Sequence, residues 1–126
     1  MKLIFKIFCM LFSLFFVLVI FGCRFAPLSL EEAKSNLENA GYEVRIVPGD
    51  EFVDSDENPF PVILASELEN YIVAKKDEDI IHMYFFINTT KASDNYAFMQ
   101  YNKLYGGQNN QLVYFGTKQA NKDAGL

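Results

Sequence analysis

The chain has 126 residues, a formal net charge of −5, two cysteines, one histidine and no tryptophan, with 13 phenylalanines and seven tyrosines. Sixteen acidic against eleven basic residues argue against a nucleic-acid binder working through a basic stripe, and against adhesion to an anionic bilayer by charge. One histidine and two cysteines argue against a disulfide framework, a multi-ligand zinc site and most histidine-based catalysis.

The first element is the apolar run Leu3 to Gly22, with Lys2 ahead of it and Lys6 near its start. It is apolar on every face, unlike a helix lying on a soluble core. A basic start, a greasy stretch and a small residue before a cysteine form the pattern of a secretory signal that ends in a lipid-modified cysteine. Ile20 and Gly22 fit the −3 and −1 positions before Cys23, whereas Phe21 departs from the small residue usual at −2. The same run makes a helix of about 30 Å, enough to span a bilayer as an uncleaved anchor. Cleavage and release is the third reading. With either attachment the basic end stays cytoplasmic and the rest of the chain faces outward. The expected organisation is a lipoprotein signal peptide or membrane anchor over 1–22, a lipidated short tether over 23–28 and a single α+β domain over 29–126. Cys23 is the predicted lipidation site and the only cysteine after the leader, so that part has no internal disulfide. Without Lys2 and Lys6, nine basic residues face sixteen acidic ones, a net charge of about −7. Five tether residues, Arg24 to Leu28, reach at most about 18 Å.

The best-signed element follows. Ser29-Leu30-Glu31-Glu32 is a capping box, and Leu30, Ala33, Leu37 and Ala40 make an apolar helical stripe. Gly41 offers a left-handed stop, with Tyr42 closing back on Leu37. Tyr42 to Val47 alternates as a strand with one buried face and ends at Pro48-Gly49. An acidic loop runs from Asp50 to Asn58, and Val62 to Glu69 is expected as a short helix. Tyr71 to Lys76 and Ile80 to Asn88 form a hairpin around Asp77-Glu78-Asp79. Its second strand is apolar on both faces and reads as central. Thr89 or Thr90 caps a helix carrying Ala92, Tyr96, Met99 and Tyr101, which Gly106-Gly107 terminates. Gln111 to Phe115 is the last strand; after Gly116-Thr117 comes a helix over Lys118 to Ala124, stopped by Gly125. The pattern predicts a small two-layer domain with about four strands, mostly antiparallel, and helices on one face.

Candidate chemistry is sparse. His82 lies between Ile81 and Met83 and reads as structural, and no serine stands in a nucleophile-elbow pattern. Asp54, Asp56 and Asn58 take positions 1, 3 and 5 of a calcium loop, but Pro59 and Ala65 occupy the diagnostic positions 6 and 12. Tyr84, Tyr96, Tyr101 and Tyr105 fit core positions better than an aromatic platform. Gly116-Thr117 reads as a capped strand–helix turn rather than an anion site. No catalytic residue, metal ligand or cofactor is expected.

Two segments, Tyr71-Ile72-Val73-Ala74 through Ile80-Ile81-His82-Met83-Tyr84-Phe85 and Leu112-Val113-Tyr114-Phe115-Gly116-Thr117-Lys118-Gln119-Ala120, join the Gly41-Tyr42 helix stop in a resemblance. The chain resembles small lipoproteins of low-GC Gram-positive bacteria, a group without an assigned activity. The resemblance implies location and fold only. The resulting expectation is a lipid-anchored, extracytoplasmic membrane lipoprotein of the cell envelope. It has no enzymatic activity and no nucleic-acid partner, and its role is binding or accessory contact with an envelope protein. The alternative is a small-ligand or cation-binding lipoprotein using an aromatic cleft or the acidic loop 50–58.

Overall fold

A computed structural model describes residues 27–126. The leader, Cys23 and most of the tether lie outside the described residues. Within them, no helix is long and apolar enough to cross a membrane.

The first helix, α1 (Leu30–Asn39), starts where the capping box predicts: the Ser29 hydroxyl accepts the Glu32 N–H at 3.1 Å. It ends in a Schellman stop. Gly41 takes φ +92°, the Tyr42 N–H reaches the Leu37 carbonyl at 2.9 Å and the Gly41 N–H reaches Glu38 at 3.0 Å. Strand β1 (Glu43–Pro48) leads into α2 (Gly49–Val53), a single helical turn that opens the acidic segment and buries Phe52. Strands β2 (Leu68–Lys76) and β3 (Asp79–Phe86) form a hairpin with Asp77-Glu78 as its two-residue loop. Then come α3 (Thr89–Tyr96), β4 (Tyr105–Asn109), β5 (Leu112–Gly116) and α4 (Lys118–Ala124). The α+β class holds.

The sheet has five strands rather than four, in the order β1-β2-β3-β5-β4, and every pairing is antiparallel. The additional strand is β4, because Gly106-Gly107 is not a helix stop. A Cβ on Gly106 would lie 2.5 Å from the Phe115 ring, and one on Gly107 would lie 2.4 Å from the Tyr114 hydroxyl. Bare backbone is needed there because the large side chains of β5 lean over its neighbour.

Helices cover both faces of the sheet instead of one. On one face Leu28, Ala33, Leu37, Ile72, Ile81, Met83, Leu112, Ala120 and Ala124 pack together beneath α1 and α4. On the other, Phe52, Phe60, Ile63, Tyr71, Tyr84, Phe86, Met99 and Phe115 pack beneath α2, α3 and the segments around them. The central strand β3 requires both layers. Ile81, Met83 and Phe85 point one way and Tyr84 and Phe86 the other, all nearly or fully buried.

Three boundaries also differ from expectation. Val62 to Glu69 is turns followed by the start of β2, since Leu68 must enter the sheet opposite Phe86. Asn88, not Thr89 or Thr90, caps α3: its side-chain oxygen accepts the Lys91 N–H at 2.8 Å. The helix then stops at Tyr96, and the following turn brings Met99 and Tyr101 onto the sheet. Tertiary packing overrides the helical spacing of this stretch.

Candidate functional site

The polar groups buried deepest belong to the face beneath α2 and α3. Tyr71 and Val73 of β2, His82 and Tyr84 of β3, and Phe115 of β5 project to this side. Phe52 of α2 stacks on Tyr71 with ring centroids 3.9 Å apart, and Phe60 meets Tyr84 and Tyr101 edge-on at 5.9 and 5.3 Å. Tyr101 stacks on the His82 ring at 4.6 Å with only 13° between planes. These contacts hold the imidazole between a strand and the segment after α3.

Hydrogen bonds complete the cluster. The Tyr71 hydroxyl lies 2.7 Å from His82 Nδ1, and the Tyr84 and Tyr101 hydroxyls lie 2.5 Å apart. Burial, reinforced by neighbouring phenols, holds the Tyr71 and Tyr84 hydroxyls protonated far above the ordinary tyrosine range. Burial also raises Tyr101, against the opposing effect of its bond to Tyr84. Burial, and to a lesser degree the nearby charge of Lys75, lowers His82 to about 4. The ring is neutral at pH 7. The Tyr71 hydroxyl and Nδ1 share one hydrogen bond, whose donor is set by the tautomer of the neutral ring. Among the described residues no serine, cysteine or carboxylate hydrogen-bonds to His82, so the contacts define a packed polar cluster rather than a base with its nucleophile.

Beside this cluster the sheet is open toward β1. Glu43, Arg45, Val73 and Lys75 line a shallow depression of about 240 Å³. Its charges have partners or stand opposite one another. Arg45 pairs with Glu57, and Glu43 faces Lys75 across the strand pair. Cross-strand pairs of opposite charge stabilise a sheet surface without serving a ligand. Ligand sites run from about 300 to 1,000 Å³ and bury most of what they hold. This one is smaller and open.

The other sequence-derived candidates fall in separate places. In the acidic segment Asp50 caps the Glu51 N–H, Glu57 pairs with Arg45, and the Asn58 oxygen accepts the Phe60 N–H at 2.9 Å. Among the described residues no group of three His, Cys, Asp or Glu side chains converges. Tyr84 is fully buried and Tyr101 lies in the cluster above, while Tyr105 is 53% exposed on β4 with the Lys118 ammonium 5.0 Å over its ring. Tyr96 packs on Phe115 at 6.0 Å, half-buried at the edge of that core, and the four tyrosines therefore make no common platform. Thr117 caps α4 and donates to Asp79 at 2.8 Å. Cys23 lies outside the described residues.

The sequence singled out His82 but not its partner Tyr71. A signal existed in the hairpin. A two-residue loop sets Tyr71 opposite Tyr84 and diagonal to His82. A three-residue loop, as expected from Asp77-Glu78-Asp79, shifts the pairing by one residue and turns the wrong side chains toward each other.

The chain matches no model of a known protein family, no curated protein and no solved structure.

Proposed function

We propose that the protein is a membrane-tethered extracytoplasmic lipoprotein with a non-enzymatic binding or accessory role at the cell envelope. The carrying observation is Ile20-Phe21-Gly22-Cys23 at the end of a 20-residue apolar run with a basic start. The resemblance to small lipoproteins of low-GC Gram-positive bacteria belongs to this same reading. Position also supports it. Leu28 is already buried against α1 and α4, so the folded domain begins within about five residues of Cys23 and stands close to the outer leaflet. A diacylglyceryl group on Cys23 supplies two chains, the number needed for stable anchoring, to a domain too acidic to adhere by charge.

A non-enzymatic role is supported by the state of the polar groups. The one imidazole is neutral, stacked and bonded to a phenol, and Arg45, two strands away on β1, is paired with Glu57. The small-ligand alternative would draw on the open depression at Glu43, Arg45, Val73 and Lys75.

Intact mass of the membrane-extracted protein tests the reading. The expected result is a mature chain beginning at a lipid-modified Cys23, with the modification lost in Cys23→Ser. A chain that retains Met1 and carries no lipid overturns the lipoprotein and leaves the anchor helix.

A further inference from the structure

Among the described residues the sheet has two open edges, and they differ. The β1 edge carries Glu43 and Arg45 and ends on Pro48, which has no N–H. Charge and proline are the usual guards against edge pairing. The β4 edge reads Tyr105-Gly106-Gly107-Gln108-Asn109, with no charge and no proline.

Its hydrogen-bond parity is set by β5. The Phe86 N–H reaches the Gln111 carbonyl, and the Thr117 N–H reaches the Ile80 carbonyl, each at 2.9 Å. The odd-numbered residues of β5 therefore bond to β3, and the even-numbered Leu112, Tyr114 and Gly116 bond to β4. Their partners there are Asn109, Gly107 and Tyr105. Gly106 and Gln108 consequently turn both backbone groups outward, and neither finds a backbone partner among the described residues.

We propose that β4 pairs with β4 of a second copy of this chain, antiparallel and centred on Gly107. Such a register sets Gly106 opposite the partner's Gln108 and Gln108 opposite the partner's Gly106. All four outward groups on each strand are then used, and the two halves are identical, as a closed two-fold contact requires. At the axis stand two residues without side chains. An uncharged edge also lets two copies of an acidic chain meet without a local clash of charge.

The same geometry suits a tethered protein, a point that rests on the membrane reading above. Residues opposite each other on paired strands point to the same face, so the two-fold axis runs perpendicular to the joined ten-stranded sheet. The α1/α4 layers of both copies lie on one side. Leu28 packs in that layer, so both chains enter their domains on the same side of the joined sheet. Five residues per strand bury less than the area of a standard interface, so the pairing is weak in solution and favoured where tethers confine the chains.

The test uses the full chain with Cys9→Ser and with Cys23 kept, so that the tether is intact and an acylated sulfur cannot cross-link, carrying Tyr105→Cys, Asn109→Cys or, as the background control, neither, in membranes of the expression host. In the proposed register Tyr105 faces the partner's Asn109 as a non-hydrogen-bonded pair, a spacing that a disulfide tolerates. Mild oxidation of the two variants co-expressed is expected to give at least ten times more linked dimer than either variant alone. Adding Gln108→Pro to both chains is expected to abolish the link. That change removes an outward N–H and no β4–β5 backbone bond; Gln108→Ala, which loses the same side-chain bonds to Ser93, Thr89 and Asn110 but keeps the N–H, is expected to retain the link, and circular dichroism checks the fold of both. Equal linking in the single variants, or no linking in the mixture, overturns the register and the pairing. Linking only to a different protein assigns the edge to another partner and also overturns the proposal. Fractionation separates the two readings: linked dimer in the soluble fraction keeps the pairing and removes the tether, and unlinked chain in the membrane does the reverse.

Discussion

The neutral His82 should make this domain lose stability on mild acidification, and the effect can be sized. The ring's folded-state value is about 4, while an unfolded chain returns it to the ordinary value near 6.5. Between these values the unfolded state binds a proton that the folded state refuses. Stability therefore rises with pH across this window and falls as pH drops from about 6.5 toward 4; above 6.5 and below 4 the residue contributes no slope. The full separation would correspond to about 3 kcal/mol at most, and the part between pH 7 and pH 5 to just under about 2 kcal/mol. His82 is half-buried, so water at the ring edge reduces the expected loss to about 1–2 kcal/mol. For a domain of this size that is a fall in Tm of the order of 10 °C. The measurement is thermal unfolding of the full chain in detergent at pH 7, 6 and 5, with His82→Phe alongside. Phenylalanine keeps the stack on Tyr101 but cannot titrate. The wild-type Tm should fall over this range and that of His82→Phe should stay nearly level. Glu67 and Asp123 have lowered carboxyl values, so their contribution is present above the carboxylate range and lost as pH falls through it. Equal slopes for the two chains between pH 7 and 5 would refute the account of His82 as a desolvated neutral ring.

Three further outcomes follow from single contacts. Tyr84→Phe removes a fully buried hydroxyl from its bond to Tyr101, and denaturant unfolding should show a loss of about 1 kcal/mol with an unchanged m-value. Gly41→Ala forces an L side chain into φ +92°, and the same assay should show a loss of about 1–2 kcal/mol even though the added Cβ meets only the flexible Lys76 side chain. Phe52→Ala empties the space over Tyr71 and Tyr84 and should cost about 3–5 kcal/mol, enough for scanning calorimetry to show a large fall in Tm or no folded transition.

The elements that were legible in the sequence are those whose signals are local. Ser29 with Glu32, Gly41 with Tyr42, and Thr117 and Gly125 at opposite ends of α4 each act on the turn next to them, and α1 and α4 begin and end where those residues put them. The features that escaped depend on distant neighbours. Asn88 competes with two threonines for the same cap, and the winner is set by where β3 ends. Tyr96 to Tyr105 keeps a helical spacing of aromatic residues, yet Tyr101 is drawn onto His82 and the helix gives way.

Gly106-Gly107 shows why this division arises. In isolation a glycine pair after an apolar helical pattern is a stop signal. Here Phe115 and Tyr114 occupy the space that its side chains would take, a constraint coming from the paired strand and therefore invisible to any window along the chain. The same omission hid the fifth strand and the open edge. The polar cluster follows the same logic, since Tyr71 and His82 meet only when the hairpin loop has two residues. A pair that touches diagonally across strands is as legible as the register, and a one-residue change in the loop erases it. Function is less legible still. Among the described residues the buried hydroxyls and imidazole of the polar cluster bond to one another, so their chemistry is explained by folding, whereas the proposed contact would read the backbone of an uncharged strand.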